Sequence, residues 1–529
     1  PVRWIVALCD KEIIPMEFAH VKSGNVSRGH RFLCKEPVVI SDPLSYKETM
    51  RKAFVIVDQD ERREMIRTGL LAVADKLGGH VWHNADLLEE INYLVEYPTP
   101  LYGRIDDEFL KLPVPAVVTP MRDHQRYYPV RNEDGSLMPY FLTVRNGGTK
   151  ALENVQHGNE KVLRARLDDA KFFFENDRKK TLEGHRDDLT RINYQEGMGD
   201  MRDKADRLQK LTEAIGKDWG FTAEEAADAD RAAFLSKSDL ATGMVTEFTE
   251  LQGEMGKEYA LLDGEKPEVA KAIFEQYMPR FAGDILPQQE IGRALSLADK
   301  LDNLAATFLR GLIPTGSQDP FALRRQTIGA VNILTDGKIH WDIRRGIEAA
   351  LALLPGDEET KKTVLSQIED FFRQRIKAIM LDEGIAYDII DAVLAGPVDD
   401  IYALFLKARS MAESQLKDEA ELRQAVTRLA NITKGKTGGK VDPSLFTEDV
   451  EKKLQDAFEA VSAKALPLFA SYEYGKALPA LRELTAPIND YLDNVMVMVD
   501  DEAVKNNRIS QLLATLALFN TWGDFSKLV

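Results

Sequence analysis

The sequence predicts an α+β multidomain protein: a mixed α/β domain at the N-terminus followed by mostly α-helical domains. Three observations carry this expectation. A chain of 529 residues is too long for one ordinary core and corresponds to roughly three or four domains. A hydrophobic fraction of 44% supplies enough apolar surface to build those cores and argues against general disorder. The apolar period also changes along the chain. Short runs broken by turn residues fill about the first 145 positions, and spacings of three and four dominate from about Gly158 onward.

In the first part, Pro1–Ile14 and Pro37–Ile40 are short apolar runs, and 53–57 and 140–144 are rich in β-branched and aromatic residues. Pro, Gly and the Asp134-Gly135 turn separate these strand-like runs, and Glu61–Leu77 reads as a helix among them. Beyond Gly158, Leu163, Leu167, Ala170 and Phe174 share one helical face. The same pattern recurs in Leu240, Met244, Phe248, Leu251, Met255 and Tyr259, and again in the series from Ile291 through Ala298 and Ala305 to Leu312. Breaks fall at Leu354-Pro355-Gly356, at Gly396-Pro397 and at Gly435–Lys440, the clearest linker or exposed loop. Helices are expected around Thr447–Lys464, Tyr474–Val499 and Glu502–Phe519.

No run approaches the roughly 18 to 20 apolar residues of a membrane span, so no membrane role is expected. No basic segment leads into an apolar stretch at the start, and the absence of an initiator Met leads us to expect a further N-terminal segment before Pro1. Two cysteines, Cys9 and Cys34, make neither a disulfide framework nor a thiolate zinc site, which fits a reducing cytoplasm. The net charge of −17 excludes a general polyanion binder; contact with nucleic acid would need local basic patches.

Nucleotide motifs are weak. Ala430–Thr437 fits a loosened phosphate loop, but Leu422–Leu429 before it reads as helix where a buried strand is required, so a basic interdomain loop containing Lys434 and Lys436 is the better reading. Gly24 and Gly29 have phosphate-loop spacing, but His30-Arg31 replaces the Lys-Ser/Thr pair. The eight histidines are scattered, with no His-Glu-x-x-His, and Asp239, Glu247, Glu250 and Glu254 fit a solvated helix face. Local positive charge is more informative. Residues 18–35 hold Lys22, Arg28, Arg31 and Lys35 with no acid, and small residues there let backbone amides approach an anion; a solvated loop is the plain alternative. The stretch 302–345, with Arg324 and Arg325, also leans positive. No nucleophile, base and oxyanion hole assemble, so the chain reads as a binder rather than a catalyst.

Several long strings carry a family likeness: Val21–Asn25 with Arg28–Phe32, Met121–Val130, Gly158–Leu167 running on to Phe173, Met244–Gly253, and Pro314–Arg325. Together they resemble the β subunit of the bacterial two-subunit glycyl-tRNA synthetase, from near residue 1 to the C-terminus. The resemblance implies a tRNA-contacting domain over 1–150, similar to one in the phenylalanyl-tRNA synthetase β subunit, and connecting helices over 151–194. It further implies a degenerate HD-like helical domain over 195–340, a helical body over 341–434, and a helical anticodon-binding-like domain over 435–529. In HD enzymes, histidines and aspartates hold a metal. Here the matching positions are Lys204, the Phe234–Asp239 region and Asp299, and neither Ser nor Lys replaces imidazole as a neutral ligand. Leu235-Ser236-Lys237-Ser238 imitates a class I synthetase lysine loop, but its His-x-Gly-His partner is absent.

The function implied is non-catalytic tRNA recognition. The chain would bind tRNA(Gly) and orient its 3′ end, while a separate α subunit uses ATP and Mg²⁺ to attach glycine in an assembly of two α and two β chains. This chain itself would bind no cofactor or metal. Arg482, Lys505, Asn507 and Arg508 are the expected readers of the anticodon loop, because unstacked bases offer edges to Arg and Asn; helix-end capping is the alternative for each. An HD-type metal-dependent phosphohydrolase and a helical scaffold with no RNA role are the competing readings.

Overall fold

The chain leaves its sheets at Asn146 and turns helical from Leu152, a few residues before the change of period expected at about Gly158. The computed structural model describes residues 2–316 and 318–528. Pro1, at the head of the first apolar run, Ser317, in the Pro314–Arg325 string, and Val529 lie outside them. Two compact units are formed, one from Pro1–His185 with Ser238–Asp263, the other from Arg186–Lys237 with Gly264–Val529.

The first unit begins with short strands. Val21–Gly24 lies between Ile5–Val6, to which it is parallel, and Glu17–Phe18, to which it is antiparallel. Val26–Arg28 pairs antiparallel with Pro37–Val39. A four-stranded antiparallel sheet follows, in the order His80–Val81, Tyr128–Arg131, Leu137–Asn146, Pro98–Arg104. The helix Gln59–Leu77 starts where the Asp58 side chain accepts from the amides of Asp60 and Glu61, and it ends at Gly78, whose φ of +72° suits glycine. Its spacing puts Ile66, Leu70 and Ala74 against Val81, Tyr128, Val130 and Leu142 of that sheet. Burying such side chains contributes about 1.5–3 kcal/mol each.

The β-rich run 53–57 is not a strand. The helix Tyr46–Lys52 ends there, Phe54 turns at φ +60°, and the amides of Phe54 and Val55 return to the carbonyls of Arg51 and Met50. Local helix-end bonding outweighs β propensity at this position.

In the second unit, the helix Glu290–Leu309 is buried along nearly its whole length. Met201–Trp219, Ala223–Leu235, Pro267–Glu275, Leu323–Asp336, Ile343–Ala352 and Glu358–Asp382 pack around it. A helix apolar on all sides is the pattern of such a central position. Further along, Ala420–Thr433, Asp449–Ala470, Thr485–Asn494 and Glu502–Asn520 pack together. The helix expected through Tyr474–Val499 is interrupted: Leu478–Arg482 and Thr485–Asn494 are separate, and Val495 is extended. No helix among the described residues is long and apolar enough to cross a membrane.

The stretch 240–259, expected as one helix, is instead a chain of turns within Ser238–Asp263: Gly243–Glu247, Thr249–Leu251 and Glu254–Leu262. Gly253, at φ +83°, breaks the helix, and its amide donates to the buried Asp239 carboxylate at 2.7 Å. The apolar period survives because 3₁₀ and α turns both bring residues three or four apart to one side. Asp177, buried at the end of the helix Leu152–Asp177, pins the segment within the first unit. Its oxygens accept from Gly243 N at 2.7 Å, Met244 N at 2.9 Å and Tyr259 Oη at 2.8 Å. Asp177→Asn replaces one acceptor oxygen by a donor facing amides. We expect a loss of about 2–3 kcal/mol and faster hydrogen exchange confined to 238–263; unchanged exchange there would show that the pin is dispensable.

Candidate nucleic-acid interface

The basic run near the N-terminus begins with Lys22 in the strand Val21–Gly24 and passes through Arg28 into the connection between Val26–Arg28 and Pro37–Val39. Gly29 is required by space, since a Cβ there would lie 2.6 Å from the Ala53 carbonyl oxygen. His30 is buried and anchors the loop from inside. The Phe32 amide can only donate, so Nδ1 of His30 accepts from it at 3.3 Å; the ring proton then lies on Nε2, 3.2 Å from Asn146 Oδ1. That oxygen also accepts from the amides of Glu96 and Tyr97. Lys22, Arg28 and Arg31 are exposed, as is Lys35. The sequence reading missed Phe32, which stands 76% exposed beside Arg31. The available signal was an aromatic residue directly after an arginine in a basic loop.

Around Pro314–Arg325, the Asp319 carboxylate accepts from the first amides of the helix Leu323–Asp336, Leu323 N at 2.8 Å and Arg324 N at 2.9 Å. Arg324 donates to the Gly316 carbonyl at 2.6 Å, which ties it to its own turn, while Arg325 is exposed. Nothing in the sequence pattern pointed to Arg375, whose guanidinium lies 4.5 Å from the Phe371 ring centre with Nε buried and without an acceptor among the described residues. Burial pulls its pKa below the ordinary arginine value, and Arg324 adds to that.

The C-terminal candidates divide. Lys434 is exposed, and Lys436 lies 3.5 Å from Met498 Sδ. Arg482 is exposed but paired with Glu419 at 2.6 Å, and Lys505 pairs with Glu502 one turn earlier. Asn507 and Arg508, expected to read bases, are interior residues. Asn507 exchanges two hydrogen bonds with the Asp442 backbone, at 2.7 and 3.0 Å. Arg508, 4% exposed, donates to Glu451 Oε1 at 2.9 Å, to Thr447 Oγ1 at 2.7 Å and to the Met496 carbonyl at 2.7 Å. Buried and engaged within the protein, neither stands at the surface to meet RNA. Glu451 is itself fully buried, so Arg508→Ala strands a charge and should cost about 3–5 kcal/mol. Arg482→Ala, at an exposed pair, should change stability by less than about 1 kcal/mol. Denaturant melts of both variants check this contrast.

In the second unit, ammonium groups gather at Lys204 and Asp299, two of the positions that the sequence resemblance matches to an HD metal site. Lys204 Nζ lies 2.9 Å from Asp299 Oδ1 and 2.9 Å from Asp302 Oδ2, and Lys237 Nζ lies 2.9 Å from Asp299 Oδ2. Arg207 Nε completes the set, 2.6 Å from Asp302 Oδ1. Burial works against the charge of Asp299, but Lys204 and Lys237 outweigh it and hold its carboxyl well below the usual range. Burial likewise opposes the charge of Lys204, and Asp299 with Asp302 raises it above the ordinary lysine value. Asp239 is engaged by the Gly253 amide in the first unit. No group of three or more His, Cys, Asp or Glu among the described residues is placed to hold a metal ion.

Lys300, buried beside Asp299, donates to Ser296 Oγ and the Met278 carbonyl, each at 2.7 Å. Burial pulls its pKa down to about 7; Asp299 opposes this, while Lys237 and Lys204 reinforce it. Between pH 7 and the ordinary value of 10.5, the unfolded chain binds the extra proton, so this group adds stability as pH rises through that window and its cost is full below it. Lys300→Met should therefore raise the Tm at pH 6 and flatten the rise between pH 7 and 10. A slope unchanged in the variant would assign it to other groups.

Comparison with known proteins places these features. Residues 1–395 match the family described as glycyl-tRNA synthetase beta subunit, and residues 422–523 match the DALR anticodon binding domain. The glycine–tRNA ligase beta subunit of Clostridioides difficile (strain 630) is 44% identical over 530 residues, covering 100% of this chain and 77% of that protein. The subunit of the same name from Desulforamulus reducens is 42% identical, again with 100% of this chain and 77% of the relative covered. That of Halothermothrix orenii is 43% identical over 97% of this chain and 75% of the relative. The resemblance carried by the sequence strings holds along the whole chain, and this chain belongs to the glycyl-tRNA synthetase β-subunit family.

Proposed function

We propose that this chain is the tRNA-recognition subunit of a glycine–tRNA ligase, partnered by an α subunit that holds ATP, Mg²⁺ and glycine. The chain binds tRNA(Gly) and orients its 3′ end toward that partner, contributing binding energy and position rather than chemistry. The observation that carries this reading is the contrast between two kinds of basic residue. Lys204, Lys237 and Arg207 are engaged inside the protein by Asp299 and Asp302. Lys22, Arg28, Arg31, Arg325 and Lys434 face solvent in a chain whose net charge is −17. Cations left exposed on an acidic chain suit a polyanion held at chosen points. The anticodon-binding match over 422–523 favours tRNA as that polyanion.

The HD-like body is read as a retained scaffold. A hydrolase would need metal ligands where Lys204 and Lys237 place ammonium groups, so the phosphohydrolase alternative has no supporting geometry.

The direct test is glycylation of tRNA(Gly) by the α subunit with and without the β chain. Charging is expected only in the mixture, and equal charging by α alone would overturn the reading. Binding of tRNA should also weaken steeply with salt. Arg28→Ala combined with Arg31→Ala should make the slope of log K against log salt shallower, by about one for each phosphate no longer neutralised.

A further inference from the structure

We propose that Phe32 and Arg31 form a stacking platform for an unpaired base of the bound RNA, with Arg28 and Lys35 beside it for the flanking phosphates. The inference rests on the tRNA-binding reading above and adds a site within it. Phe32 is 76% exposed on a loop held rigid from beneath by buried His30, through Asn146, and by the close approach of Gly29 to Ala53. A fixed loop that lifts a phenyl ring into water is a poor arrangement for an isolated molecule and a good one for a ligand with a flat apolar face. The Arg31 guanidinium lies 5.8 Å from the ring centre and widens that face. Arg28 and Lys35 are exposed at the two ends of the same connection, and no ion pair neutralises Arg28, Arg31 or Lys35 among the described residues. Aromatic rings stack on any base through its π face, and adjacent cations hold the backbone, which is how unpaired strands are gripped. Duplex RNA, whose bases are already stacked, would gain nothing from the ring. A protein partner would find the same apolar ring, but a run of unpaired cations around it favours a phosphate chain.

The experiment uses the full-length β chain assembled with its α subunit and titrated with tRNA(Gly) at fixed salt. Phe32→Ala and Phe32→Leu should each weaken tRNA binding about tenfold. Phe32→Tyr and Phe32→Trp should stay within about twofold of the parent, and the new indole of the Trp variant should lose fluorescence when tRNA is added. Equal tRNA binding by all four variants would overturn the proposal, as would rescue by Leu as complete as that by Trp, which would mark a merely apolar contact. Loss of α assembly with tRNA affinity retained would assign the ring to a protein interface instead. A fall in Tm for Phe32→Ala would show that the chain covers the ring itself, and would overturn it too. Absence of tRNA binding by the parent assembly would overturn the functional reading itself, an outcome distinct from all of these.

Discussion

Charge buried in the middle of a helix is the constraint around which the second unit is built. Asp299 and Asp302 lie on Glu290–Leu309, a helix with almost no contact with water, and two carboxylates in such a place require cations. Met201–Trp219 supplies Lys204 and Arg207, three residues apart and therefore on one face. Lys237 comes from a turn at φ +66°, an unusual conformation for a lysine. These cations fix how two separate stretches of chain approach the central helix. A buried ion set adds little net stability compared with an apolar filling, but it tolerates no one-sided loss.

The pairing of charges also explains how an acidic chain can address an anionic polymer. Most basic side chains here are committed: Arg63 to Glu89, Arg231 to Glu265, Arg409 to Glu383, Arg508 to Glu451. Others, among them Lys22, Arg28, Arg31, Arg325 and Lys434, face solvent, and on the reading proposed above these are the cations left for RNA. Binding of that kind draws its selectivity from position, because the acidic remainder repels any strand that does not meet those points.

Much of the fold was legible from the chain alone. The change of apolar period located the passage from sheets to helices, and the run from Ile291 marked the central helix. Where periodicity failed, local hydrogen bonding had the last word. Residues 53–57 look like a strand but finish a helix, and 240–259 look like a helix but are bent by Gly253 and held by Asp177. The candidate site was less legible. Composition flags a basic loop but does not say which cations are already paired, so Asn507 and Arg508 were credited with an RNA role although their polar groups are satisfied within the protein. Phe32 carries the opposite lesson: the composition of the loop does not say that its ring is exposed, and only its surroundings reveal it.

The detour of Ser238–Asp263 into the first unit bears on how the chain is made. The Asp177 carboxylate has no partner amides until Gly243 and Met244 have been synthesised, and Tyr259 comes later still. On a ribosome the first unit stays open for the whole interval in which residues 186–237 are added, although those residues belong elsewhere. At elongation rates of about 5–20 residues per second, that leaves a half-closed apolar surface exposed for several seconds, the stage of synthesis at which a chaperone would be most useful.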